Sequence, residues 1–176
     1  MVDLVRENWK WFLIEGILLV FLGVLSIALP TLSTLSIELV IGWLLVFGGA
    51  VQAFRTLRDI HAEGSYLSLL NAAIYVIIGL LMLFYPVRGI LTLTLLLSVF
   101  FIIEGIFKIA VAFQWRPLRN WGWVAISGAL SLVLGGIILS GWPGTAAWAI
   151  GLLFGINMLF LGWTMILVSM GARASQ

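Results

Sequence analysis

Long apolar stretches, broken by prolines, glycine-rich turns and short charged links, make up most of the chain. Six are long enough to cross a bilayer: Trp11–Leu29, Thr34–Phe54, Tyr66–Phe84, Gly89–Phe113, Trp121–Ser140 and Thr145–Met170. A spanning helix takes about 20 apolar residues at about 1.5 Å of rise each. None of the stretches alternates strictly between apolar and polar positions, which argues against a membrane β-barrel. Helices satisfy their own backbone polar groups where lipid offers no partner. Pro30, Pro86 and Pro143 stand at the ends of the odd-numbered stretches and predict sharp helix stops there. The turns at these prolines are short, whereas the links Arg55 to Ser65 and Gln114 to Asn120 are longer and charged. The pattern predicts three tight helical hairpins joined by two polar links.

The hairpins repeat. Gly23 and Pro30 recur as Gly79 and Pro86, and, one position beyond the same offset, as Gly136 and Pro143. In the even-numbered stretches Gly49 recurs as Gly105 and Gly162, and Gly42 maps to Ser98 and Gly155. The string Trp9-x-Trp11-x-x-Ile14-x-Gly16 returns as Trp121-x-Trp123-x-x-Ile126-x-Gly128. A whole set of matches at one offset predicts three copies of a two-helix unit, over about 9–54, 65–110 and 121–167, within a single membrane domain spanning 1–176. Each unit holds two spans, so the copies share one orientation and are parallel repeats, unlike the inverted repeats of many transporters. The fold class expected is all-α, an integral membrane protein of six spans. Gly23, Gly79 and Gly136 are expected at equivalent packing positions.

Composition narrows the chemistry. The 176 residues are 63 % hydrophobic and 9 % charged, with a mean hydropathy of +1.22. Soluble domains lie near 45–50 % apolar and about 25 % charged, and a small soluble fold cannot hide this much apolar side chain. The net charge of +2 is spread along the chain without a basic stripe, which excludes a nucleic-acid binder. There is no cysteine and one histidine, His61, so no thiolate site or two-histidine metal site can form. No phosphate-binding, dinucleotide-binding, zinc-protease or serine-hydrolase string occurs. The expectation is a chain that is not an enzyme and needs no cofactor or metal, with the lipid bilayer as its principal partner.

Orientation follows from the basic residues. Arg6, Lys10, Arg55, Arg58, Arg116, Arg119 and Arg173 fall on one side of a six-span arrangement, and Arg88 alone falls on the other. Both termini are therefore expected in the cytoplasm. Trp9, Trp11, Trp115, Trp121 and Trp123 cluster at that interface, with Trp142 and Trp148 at the opposite one. Ser26-Ile-Ala28 loosely resembles a signal cleavage site. The first stretch is too long for a signal peptide, carries Glu15 and has counterparts later in the chain, so it is expected to be retained.

Three hairpins, each with a glycine seven residues before a hairpin proline, a Trp-x-Trp-led first helix and glycine-rich even helices resemble the HdeD family. These are small bacterial inner-membrane proteins built from a short repeated membrane unit and associated with acid resistance. The resemblance covers roughly residues 5–170. It implies an inner-membrane location and an acid-stress role, and it carries over no catalytic residue.

Charges inside spans are costly, so each is a candidate site. There are four: Glu15, Glu38, Glu104 and Lys108. Glu104 and Lys108, four apart on one helix face, read as a self-neutralising pair or as part of a proton or ion path. Glu15 and Glu104 are expected at similar depth in the cytoplasmic half, sharing Lys108 or a proton. Glu38 reads as a helix N-terminal acid or as an outward-facing proton acceptor. Asn71 takes Glu15's place in the second repeat, Gln52 takes Lys108's place in the first, and Asn157 lies deep in the sixth span. These amides read as helix-bridging groups. A transporter or channel that uses the set Glu15, Asn71, Glu104, Lys108 and Asn157 as a solute path is the alternative reading. Ala147, Gly151 and Gly155 form a small-residue ladder, and Gly128, Ser131 and Gly135 a small face. Both are expected to pack helices within the bundle or against a second copy in a homo-oligomer.

Overall fold

In the computed structural model residues 9–58, 65–116 and 121–174 are described, with side chains through Ala172. Arg6, Asp59, His61, Glu63, Arg119 and the side chain of Arg173 lie outside the described residues. Six α-helices run in order: α1 Trp9–Ala28, α2 Pro30–Arg58, α3 Ser65–Phe84, α4 Pro86–Gln114, α5 Trp121–Ser140 and α6 Ala149–Ala174. A short 3-10 helix, Gly144–Ala147, precedes α6. There is no strand among the described residues. All six helices are long and apolar enough to cross a membrane, and their exposed faces carry large apolar side chains such as Phe21, Phe47, Leu67, Phe107, Leu130 and Phe160. The chain is a multi-pass membrane protein.

The prolines mark the boundaries, but from the other side. Pro30 and Pro86 are the first residues of α2 and α4, not the last of α1 and α3. Proline suits a first helical position because its missing N–H would have no intrahelical partner there. The third boundary differs: a turn at Gly141–Pro143 and the 3-10 helix intervene, so α6 starts at Ala149 and not at Thr145. Thr145 is buried in this turn and its hydroxyl donates to the Ile138 carbonyl at 2.7 Å. At 29 residues each, α2 and α4 extend about 43 Å, beyond the roughly 30 Å hydrocarbon layer. The surplus on α2 carries Arg55 and Arg58. The Arg58 guanidinium lies 4.8 Å from the centre of the Phe54 ring, and that of Arg116 lies 5.8 Å from the Trp121 ring. Such cation–aromatic pairs suit a headgroup interface.

The chain divides into two compact units, Met1–Thr34 with Trp148–Gln176, and Leu35–Ala147. In the first, α1 packs antiparallel on α6 with glycine against glycine. A Cβ built on Gly16 would stand 2.9 Å from the Gly162 carbonyl oxygen, and one on Gly162 would stand 2.6 Å from the Gly16 oxygen. Gly23 and Gly155 face each other in the same way, at 2.9 Å in both directions. In the second unit α2 meets α3 through Gly42 with Gly79 and Gly49 with Ala72, while α4 meets α5 through Ser98 with Gly135 and Gly105 with Gly128. One register thus recurs in three seams: small residues seven apart on an odd helix meet small residues seven apart on an even one. In lipid no hydrophobic force drives helices together, so backbone approach at small residues supplies the packing. Each Cα–H···O contact contributes about 0.5–1 kcal/mol.

The seams join an odd helix to an even helix of a different repeat, α1 with α6, α2 with α3 and α4 with α5. They correct one expectation. Gly136 is exposed and a Cβ there would meet nothing within 4 Å, whereas Gly135 is buried and a Cβ there would stand 2.9 Å from the Ser98 carbonyl oxygen. The reason is one extra residue between Gly135 and Pro143. Counting back from the proline lands one position too far along the helix, and one position rotates the residue by about 100°.

Candidate functional site: a buried carboxyl between two helices

Glu38 is fully buried on α2, and neither carboxyl oxygen has a hydrogen-bond partner among the described residues. Two features position it. The Gly42–Gly79 contact, one helical turn further on, holds α2 against α3. Gly89, in the first turn of α4, leaves the space that the carboxyl fills. A Cβ on Gly89 would collide with Glu38 Oε1 and lie 3.1 Å from its Cδ. Glycine at position 89 is thus the condition for the carboxyl to rest against the α4 backbone. An unpaired carboxylate so placed costs several kcal/mol, so the group needs a neutralising charge of its own.

The same repeat position holds Thr94 on α4 and Gly151 on α6. Thr94 is also fully buried, with no hydrogen-bond partner for its hydroxyl among the described residues. At Gly151 the polar groups are all met. Its N–H donates to Thr34 Oγ1 at 2.9 Å, and its carbonyl accepts from Ser26 Oγ at 2.8 Å. A Cβ on Gly151 would collide with the Pro30 carbonyl oxygen. Sequence reasoning did not single out Thr34, Ser26 and Thr94 as packing or site residues. For Thr94 the available signal was its repeat offset from Gly151; Thr34 and Ser26 map to no glycine.

The other candidate residues are placed differently. Glu104 and Lys108 form an ion pair at 2.7 Å with side chains 29 % and 34 % exposed, only partly buried. Lys108 also donates to Ser127 Oγ on α5 at 3.2 Å, so Ser127 takes the part foreseen for Glu15. Glu15 is exposed on α1, Asn71 on α3 and Asn157 on α6. These three face outward because small residues occupy the inward face: Gly16 adjoins Glu15, Ala72 adjoins Asn71, and Gly155 lies two residues from Asn157. Gln52 on α2 instead donates to the Ser68 carbonyl on α3 at 3.2 Å, and Thr56 and Ser68 share a hydroxyl contact of 2.9 Å. Gly49, Gly105, Gly162, Gly151 and Gly155 are all buried. Among the described residues no group of three or more His, Cys, Asp or Glu could hold a metal ion.

The Glu104–Lys108 pair gives a direct test. Glu104→Gln leaves Lys108 with only a hydroxyl, and because both side chains are about a third exposed the loss is expected to stay below the about 2.5–3.5 kcal/mol that insertion scales assign to a lone charge at a span centre. Glu104→Gln with Lys108→Met should recover most of it. Unfolding midpoints of the purified variants in detergent read both values.

Comparison with curated proteins and with solved structures gives no significant match. A family model described as a short repeat of unknown function, DUF308, matches twice, over residues 14–84 and 70–140. The second match is displaced from the first, at both ends, by the same offset that carries Gly23 to Gly79. With the repeated glycine seams and six membrane-length helices, these matches show that the chain belongs to the DUF308 short-repeat family.

Proposed function

We propose that this is a non-enzymatic bacterial inner-membrane protein of acid-stress resistance, as the resemblance to the HdeD family implies, with Glu38 as its membrane-embedded acid-responsive group. Both termini and the Arg-bearing links lie in the cytoplasm, following the bias in basic residues. Glu38, in the third turn after Pro30, then lies near the outer face, where external acid arrives. The observation that carries the reading is the carboxyl of Glu38, fully buried and unpartnered between α2 and the backbone of α4. The solute-path alternative is less well supported, because Glu15, Asn71 and Asn157 face outward on their helices.

The test is survival of an acid challenge by cells that depend on the protein. Glu38→Gln, present at wild-type level in the membrane, should lose the protection, while Glu15→Gln keeps it. A cysteine at Ser33 should be labelled from outside intact cells by an impermeant thiol reagent. Wild-type survival with Glu38→Gln, or protection of the Ser33 cysteine from the reagent, would refute the reading.

A further inference from the structure

We propose that the Glu38–Gly89 contact is a proton-binding site, with the carboxyl held as the neutral acid and no room for a metal cation. The inference rests on the reading of Glu38 given above and names the ligand of that site. Three observations carry it. Glu38 is fully buried, and both of its oxygens lack partners among the described residues. The carboxyl rests so closely on α4 that a methyl group at Gly89 would overlap Oε1. Among the described residues no cationic side chain faces it from the elements packed against it. On α3 there is no charged residue, and the phenols of Tyr66 and Tyr75 are exposed. On α4, Arg88 is exposed with its guanidinium 5.1 Å from the Tyr85 ring, and Tyr85 is itself exposed. Glu104 and Lys108 lie about 22 Å or more further along α4, and Arg55 lies about 25 Å along α2.

A buried carboxyl without a cationic neighbour must be neutralised by something that binds it. Sodium or calcium would need several oxygen ligands around it. Here one carboxyl oxygen is pressed against a glycine backbone, and the repeat-equivalent hydroxyl of Thr94 sits five residues beyond Gly89, on a different face of α4. A proton needs neither space nor further ligands. The carboxyl is then an O–H donor and acceptor shielded from water, which is the form that reacts with a hydrophobic carbodiimide. The acid adds across one C=N bond, its oxygen to the central carbon and its proton to nitrogen. An acyl shift to the other nitrogen then leaves a stable N-acylurea with no leaving group.

The experiment treats the purified full-length protein in lipid vesicles with dicyclohexylcarbodiimide and maps the adduct by peptide mass spectrometry. The adduct is expected on Glu38 in preference to Glu15 and Glu104, and its yield should fall severalfold as the medium is made alkaline. Sodium added at constant pH should leave the yield unchanged. Gly89→Ala, which puts a methyl where Oε1 rests, should cut labelling of Glu38 severalfold, so the site can be tested even if Glu38→Gln does not fold. Modification of Glu15 or Glu104 with Glu38 spared would overturn the proposal, as would protection of Glu38 by sodium. Labelling of Glu38 together with full acid survival of Glu38→Gln would support the proton site while refuting the stress role. Loss of survival without labelling would do the reverse.

Discussion

Gly162→Leu is expected to separate α6 from α1, with a loss of about 3 kcal/mol or more, at or beyond the upper end of the usual overpacking range. A Cβ at this position would stand 2.6 Å from the Gly16 carbonyl oxygen and 2.8 Å from the Val20 backbone nitrogen. Both obstacles are main-chain atoms of a helix, which cannot rotate aside as a flexible side chain can. The helices must move apart, and the second contact of the seam, Gly23 with Gly155, goes with the first. Gly105→Leu should behave alike, since its Cβ would meet the Gly128 carbonyl oxygen at 2.7 Å. Gly136→Leu is the matched control: the same change on an open helix face should fall within about 0.5 kcal/mol of wild type. Unfolding midpoints in a mild detergent, with size-exclusion profiles, separate these cases. Equal losses at Gly162 and Gly136 would refute the seam assignment.

Gly151→Val should cost as much by a different route. The added Cβ collides with the Pro30 carbonyl oxygen and lies 3.0 Å from the Thr34 nitrogen. It also displaces two hydrogen bonds, the Gly151 N–H to Thr34 Oγ1 and the Ser26 hydroxyl to the Gly151 carbonyl. Each group stranded in a buried site costs about 1–3 kcal/mol, so the combined effect should prevent accumulation of folded protein. Thr34→Val, which keeps the shape and removes only one acceptor, should cost about 1–3 kcal/mol and leave the protein foldable. The ratio of folded yields in the membrane fraction reads the difference. If Gly151→Val accumulates like wild type, the contact is not as close as described.

The elements were legible from the sequence because length in apolar residues and the positions of the prolines fix them almost unaided. Trp121–Ser140 agrees at both ends, and the other boundaries differ by a few residues, at the prolines, at the third turn and where helices run on into the polar links. Facing was harder to read. On a helix apolar all round, hydrophobic periodicity does not tell the inner side from the lipid side, so Glu15, Asn71 and Asn157 could be placed in depth but not in rotation. The small residues carried that information: one constant offset leads from Gly16 and Gly23 through Ala72 and Gly79 to Gly128 and Gly135. Following the proline in the third repeat gave Gly136 instead. The burial of Glu38 was not legible, because an acid early in a helix is ordinarily a solvated group near the positive end of the dipole. The space it fills depends on other helices, through the Gly42–Gly79 contact with α3 and the absence of a side chain at Gly89 on α4.

The seam between α1 and α6 also has a bearing on synthesis. Of the six spans, the one made earliest has its glycine face matched to the one made latest. During translation of all that lies between, Gly16 and Gly23 must wait in lipid or against a temporary companion, whereas α3 and α5 follow their seam partners α2 and α4 at once. The slow, exposed stage of assembly therefore belongs to α1. An insertion factor or a neighbouring protein that shields nascent helices has most to protect there.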